Sequence, residues 1–104
     1  MKQFDVFANP FPRSRERQPF LVALQSDLLA GSLDTVVLAP LEASDTGKYA
    51  ERLNPRVQVD ERAFTLIAQE IVTVRKNVLG PAHGTLAHER DAIIAALDLL
   101  FTGF

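Results

Sequence analysis

The chain has few side chains that could do chemistry. Its 104 residues hold two histidines, 11 Lys or Arg, 13 Asp or Glu, and no cysteine. Without cysteine, disulfides and thiolate metal sites are excluded. His88-Glu89 opens like a zinc-protease helix motif, in which a second His one turn on completes the metal site. Here that position is Ala92. His83 and His88 do not have the spacing that puts two ligands on one helix face, and solvated histidines are expected. Gly47-Lys48 resembles the end of a phosphate loop, but Glu42 stands where the upstream glycine belongs. No serine sits in a Gly-x-Ser-x-Gly elbow. Asp60 and Glu61 are adjacent acids in a tight turn, where side chains point apart into water rather than share a proton. No catalytic residue, metal or cofactor is therefore expected, and the chain is read as a non-enzyme.

Two features remain, and both suit binding better than catalysis. Arg13, Arg15 and Arg17 alternate in a Pro-bounded loop. In an extended loop, alternation places three guanidiniums on one side, where they can meet carboxylates or phosphates. The second feature is the sequence Leu99-Leu100-Phe101-Thr102-Gly103-Phe104. Phe104 either packs back on an apolar helix stripe or stands out as an aromatic anchor for a partner.

The formal net charge of −2 argues against direct nucleic-acid binding, which needs a positive field to displace counterions. A protein partner is favoured. No run of roughly eighteen apolar residues is present, so no membrane span is expected. The opening MKQFDVFANPF has no apolar run of the signal-peptide kind, and a cytoplasmic location is the simplest reading.

A single domain over 1–104 has to position these residues. Phe4 and Val6 alternate with Gln3 and Asp5, which predicts a first strand. Residues 9–19 form a polar loop. Phe20, Val22 and Leu24 mark one face of a second strand, and Ala30-Gly31-Ser32 a turn. Val36-Val37-Leu38-Ala39 reads as a short buried strand stopped by Pro40. The segment 42–54 reads as a loop with one helical turn near Tyr49–Leu53. Val57 and Val59, then Phe64, Leu66 and Ala68, alternate on either side of Asp60-Glu61-Arg62 and predict a hairpin. Ile71-Val72-Thr73-Val74 is a further strand. At about 100° per residue, Leu86, Ile93, Leu97, Leu100 and Phe104 share a stripe, opposite His88, Asp91, Ala95, Asp98 and Thr102. This predicts a C-terminal amphipathic helix, with Gly84-Thr85 at its start. Leu99 lies off the stripe, toward solvent or a partner subunit.

Several phrases in this order resemble the CcdB toxin family. They are Val22-Ala23-Leu24-Gln25-Ser26-Asp27-Leu28-Leu29, Val37-Leu38-Ala39-Pro40-Leu41 and Leu53-Asn54-Pro55-Arg56-Val57-Gln58-Val59. The last is Leu86-Ala87-His88, leading into a helix that ends Leu100-Phe101-Thr102-Gly103-Phe104. The resemblance implies a mainly β (α+β) fold, an SH3-like antiparallel barrel of the CcdB/MazF type with a C-terminal α-helix. It also implies a homodimer that binds the GyrA subunit of DNA gyrase and traps the cleaved-DNA complex. A cognate CcdA-like antitoxin with an acidic disordered tail would neutralise it and repress the operon. Arg13, Arg15 and Arg17 are the expected antitoxin contacts. The family's gyrase-binding triplet, Trp-Gly-Ile, falls on Thr102, Gly103 and Phe104, of which only the glycine is kept. The alternatives are a MazF-like endoribonuclease on the same fold, in which an arginine of the 13–17 loop stabilises a phosphorane, and a non-toxic co-repressor.

Overall fold

The computed structural model describes residues 1–29, 31–43 and 50–104. Ala30, Gly47-Lys48 and Tyr49, which entered the expectations above, lie outside the described residues. Seven strands form among the described residues: β1 (Asp5–Ala8), β2 (Phe20–Ala23), β3 (Thr35–Ala43), β4 (Arg56–Val59), β5 (Arg62–Leu66), β6 (Val72–Arg75) and β7 (Gly84–Thr85). One α-helix, α1 (Arg90–Thr102), follows them. All pairings are antiparallel, in the order β4-β5-β3-β2-β1-β7, with β6 added to β3. The result is the expected barrel-like antiparallel sheet with a C-terminal helix.

β3 organises the sheet, and it runs through Pro40 rather than stopping there. One edge of β3 pairs with β2 over Leu38–Leu41. The other pairs with β6 over Thr35–Leu38 and then with β5 over Leu41–Ala43. A strand residue aims its N–H and C=O at the same edge. The Pro40 carbonyl accepts from the Ile67 N–H at 3.0 Å, so Pro40 faces the β6/β5 edge. Its missing donor falls where one partner strand has ended and the next has not begun. Proline stops a central strand only where a ladder bond is required of it.

Two apolar clusters fill the fold, because β2 and β3 are covered on both faces. Val22, Leu24, Leu41, Val57, Phe64 and Leu66 join Phe4, Val6, Leu86, Ile93 and Ala96 in the main core. Phe7, Leu21, Ala23, Val36, Leu38 and Val74 form the second. The expected face of β2 is thus confirmed, and its opposite face is buried as well. The β4–β5 hairpin closes through Asp60-Glu61, with Val59 paired to Arg62. Both turn residues take positive φ, 54° and 65°, the sign pattern of a type I′ turn, whose twist matches that of the strands. The helical turn before Asn54 is also present, closed by the Asn54 N–H on the Ala50 carbonyl at 2.7 Å.

The helix starts later than its periodicity suggests. Gly84-Thr85 pairs with β1 as strand β7, and a 3₁₀ turn over Ala87–Glu89 leads into α1. Thr85 is the cap of neither helix; its Oγ1 accepts from the Ala87 N–H two residues on at 3.1 Å. Leu86 therefore joins the core from a non-helical position. Ile93 and Ala96 are buried, and Leu97 and Leu100 pack against the main core. The opposite positions 88, 91, 95, 98 and 102 are exposed, and Leu99 is half-buried.

Candidate protein-interaction site at the end of the helix

Helix α1 ends by a local device. Gly103 adopts φ 81°, and its N–H returns to the Leu99 carbonyl at 3.1 Å. This left-handed closure satisfies one of the helix's orphan carbonyls. A residue with a Cβ resists that φ. The Gly103 conformation takes the chain off the helical path, so Phe104 does not continue the apolar stripe. It is 84% exposed, and Phe101 is 69% exposed. Of the two expectations for Phe104, packing on the stripe is therefore excluded. Thr102 is exposed, and its Oγ1 donates to the Asp98 carbonyl at 2.7 Å. The Phe104 main-chain oxygen accepts from Arg52 Nη2 at 2.8 Å. The end of the helix thus offers two large apolar side chains to solvent.

The arginine loop has a different shape from the one its alternation suggests. Ser14 and Arg15 N–H groups both bond the Phe11 carbonyl, and the Gln18 N–H bonds that of Ser14. The loop is wound in helical turns, so Arg15 is turned about 200° from Arg13 and Arg17, and the three guanidiniums do not share one face. Buried Asn9 pins the winding, its Nδ2 donating to Ser14 Oγ at 2.9 Å and the Gln18 carbonyl at 2.8 Å. Arg15 donates to the Pro10 carbonyl. Arg17 lies 3.3 Å from Glu42 and 3.6 Å from Glu70. Glu42 is a buried carboxylate, and Gln18 Nε2 donates to both acids. A buried charge needs such donors, so Arg17 has a structural task of its own. Arg13 and Arg15 stay exposed.

Elsewhere His83 Nε2 bonds Asp60 Oδ2 at 2.5 Å and its ring packs on Phe20 at 4.8 Å. This pair ties the β4–β5 turn to the segment before β7. His88 is exposed and separate from it. Among the described residues, no group of three or more His, Cys, Asp or Glu is arranged to hold a metal. No helix among them is long and apolar enough to cross a membrane.

The sequence profile of the CcdB protein family matches residues 3–103, nearly the whole chain. The chain belongs to the CcdB family. No curated protein sequence matches this CcdB-family chain closely enough to be a relative. Solved structures similar to it include an Mtb toxin, with TM-score 0.67 and 19% identity, covering 81% of this chain and 92% of that one. Mycobacterium tuberculosis toxin MazF-mt6 gives TM-score 0.65 and 18% identity over 79% and 84%. An endoribonuclease in complex with its cognate antitoxin, from a mycobacterial species, gives TM-score 0.70 and 13% identity over 94% and 91%. At these identities the likeness is one of fold. Membership of the CcdB family supports a toxin of a toxin–antitoxin system. Arg52, Glu42 and Glu70 carry no local motif that marks them. Their contacts span 24 to 53 residues along the chain, beyond the reach of periodicity.

Proposed function

We propose that this CcdB-family chain is the toxin of a type II toxin–antitoxin pair and works by gripping a protein. In this reading it binds the GyrA subunit of DNA gyrase through Thr102, Gly103 and Phe104, and traps the cleaved-DNA complex without being an enzyme itself. It does so as a cytoplasmic homodimer, and a CcdA-like antitoxin neutralises it. The observation that carries the reading is the exposure of Phe101 and Phe104, 69% and 84%, at the end of α1. Large exposed aromatics can serve as the anchors on which protein–protein hot spots are built. The family's Trp-Gly-Ile keeps its glycine here, and Gly103 holds the φ that only glycine adopts freely. The aromatic anchor has moved from the Thr102 position to Phe104.

A second reading has its own support, because the similar folds include MazF-mt6 and an endoribonuclease. Here the chain would cut RNA with help from the arginine loop. One experiment separates the two. The purified protein is assayed for gyrase-dependent DNA cleavage and, side by side, for cleavage of defined RNAs. Gyrase-dependent breaks without RNA cutting support the gyrase poison. RNA cutting that an Arg13→Ala or Arg15→Ala change stops supports the ribonuclease. Neither activity, with operon repression intact, leaves the co-repressor.

A further inference from the structure

We infer that Arg52 is a positioning residue, a clamp from outside the helix that holds Phe104 in its outward pose. The function it serves rests on the binding role proposed above. Three observations converge on it. Arg52 Nη2 donates to the Phe104 main-chain oxygen at 2.8 Å across 52 residues of sequence. Helix α1 carries no basic residue in its last turn. Yet the C-terminal end of a helix bears partial negative charge and unpaired carbonyls, and it favours a cation there. Arg52 supplies that cation from another element.

The third observation is that Arg52 stands on a fixed base. Its turn closes through the Asn54 N–H on the Ala50 carbonyl. Asn54 is 3% exposed. Its Nδ2 donates to Gln69 Oε1 at 2.7 Å and to the Leu66 carbonyl at 3.3 Å. Leu53 packs against the main core. The guanidinium thus extends from a turn locked to β5 and to the 3₁₀ turn Ala68–Glu70. Its planar fork orients donors in a way a flexible ammonium does not. Gly103 lets the chain leave the helix, but glycine by itself leaves many exit directions open. The Arg52 bond selects one of them. An anchor ordered before binding loses less conformational entropy on binding.

The test compares the unaltered chain with Arg52→Ala and Arg52→Lys. Three quantities are read: melting temperature, backbone ¹⁵N heteronuclear NOE of Gly103 and Phe104 in the free protein, and Kd for a GyrA fragment. Arg52→Ala is expected to melt close to the unaltered chain, to lose order at 103–104, and to bind about three- to tenfold more weakly. Arg52→Lys should restore part of both losses, and it replaces Arg52→Ala should that variant fail to fold. Unchanged order at 103–104 in the variants overturns the clamp. So does a loosened terminus that binds the fragment as tightly as before. If the unaltered chain binds no GyrA fragment, the gyrase reading fails and the NOE alone decides the clamp.

Discussion

At the scale of single residues, Phe104 and Thr102 carry the sharpest expectation. Phe104 is 84% exposed and belongs to neither apolar cluster. Phe104→Ala should therefore shift the melting temperature little while weakening gyrase binding strongly. A sharp drop in melting temperature, with binding per folded molecule unchanged, would sink the relocated anchor. Thr102 faces solvent on the same end. A Trp there can bury ~150–250 Å² in a partner, and at ~25 cal/mol per Å² its gain over Thr is about 2–3 kcal/mol. Thr102→Trp should tighten gyrase binding by roughly thirty- to a hundredfold if the family's target is kept. Arg17 lies 3.3 Å from the buried Glu42 but is itself 66% exposed, and Gln18 also donates to that carboxylate, so Arg17→Ala should cost no more than about 1 kcal/mol of stability. Arg13→Ala with Arg15→Ala should spare the fold. If the loop receives an acidic antitoxin tail, this pair should lower affinity by ~0.2–1 kcal/mol per arginine and flatten its salt dependence. Titrations across salt check it, and unchanged affinity removes the loop from the antitoxin interface.

At the scale of elements, the β4–β5 hairpin stores strain. Its two-residue turn demands positive φ at both centres, which Asp tolerates and Glu does not favour. Glu61 holds φ 65° and is exposed, while Asp60 is occupied by His83. Glu61→Gly should relieve about 1 kcal/mol, less some entropy lost from the unfolded chain. That corresponds to a rise of a few degrees in melting temperature. Thermal melts of the two proteins check it, and a lower melting point would mean that Glu61 makes a contribution outweighing its φ. The core face of this hairpin, with Val57, Val59, Phe64 and Leu66, could be read from alternation, but the connection expected over Asp60-Glu61-Arg62 is one residue shorter, because Arg62 pairs with Val59. The boundaries of α1 could not be read that way. Gly84-Thr85 is taken by β1, a partner nearly 80 residues away in sequence, and the helix begins at Arg90.

The whole molecule leaves several large apolar side chains outside its two clusters. Leu28 is 90% exposed, Val78 46% and Val72 39%. β6, which carries Val72, pairs only with β3 among the described strands. Small domains bury a modest fraction of their surface, and open strand edges with apolar side chains invite pairing. The chain should therefore be dimeric at micromolar concentration, with a mass by light scattering of twice its 11.5 kDa. A monomer mass under those conditions would contradict the homodimer.

By itself the sequence determined the features set by local repetition. Period-two alternation placed Phe4, Val6, Val22, Leu24, Val57 and Phe64 in the core, and period 3.6 placed Ile93, Leu97 and Leu100 against it. The order of its short phrases also determined the family. Tertiary structure decided whatever depends on a partner distant in sequence. Pro40 sits inside β3 because β6 ends where β5 begins on that edge. The arginine loop is wound rather than extended because Asn9 and Glu42 hold it from both sides. Phe104 extends the helical stripe on paper, yet it leaves the helix at Gly103 and is bonded by Arg52. Periodicity assumes that the element continues. The glycine that ends it is local and legible at position 103, whereas the guanidinium comes from another turn and has no signature near Phe104.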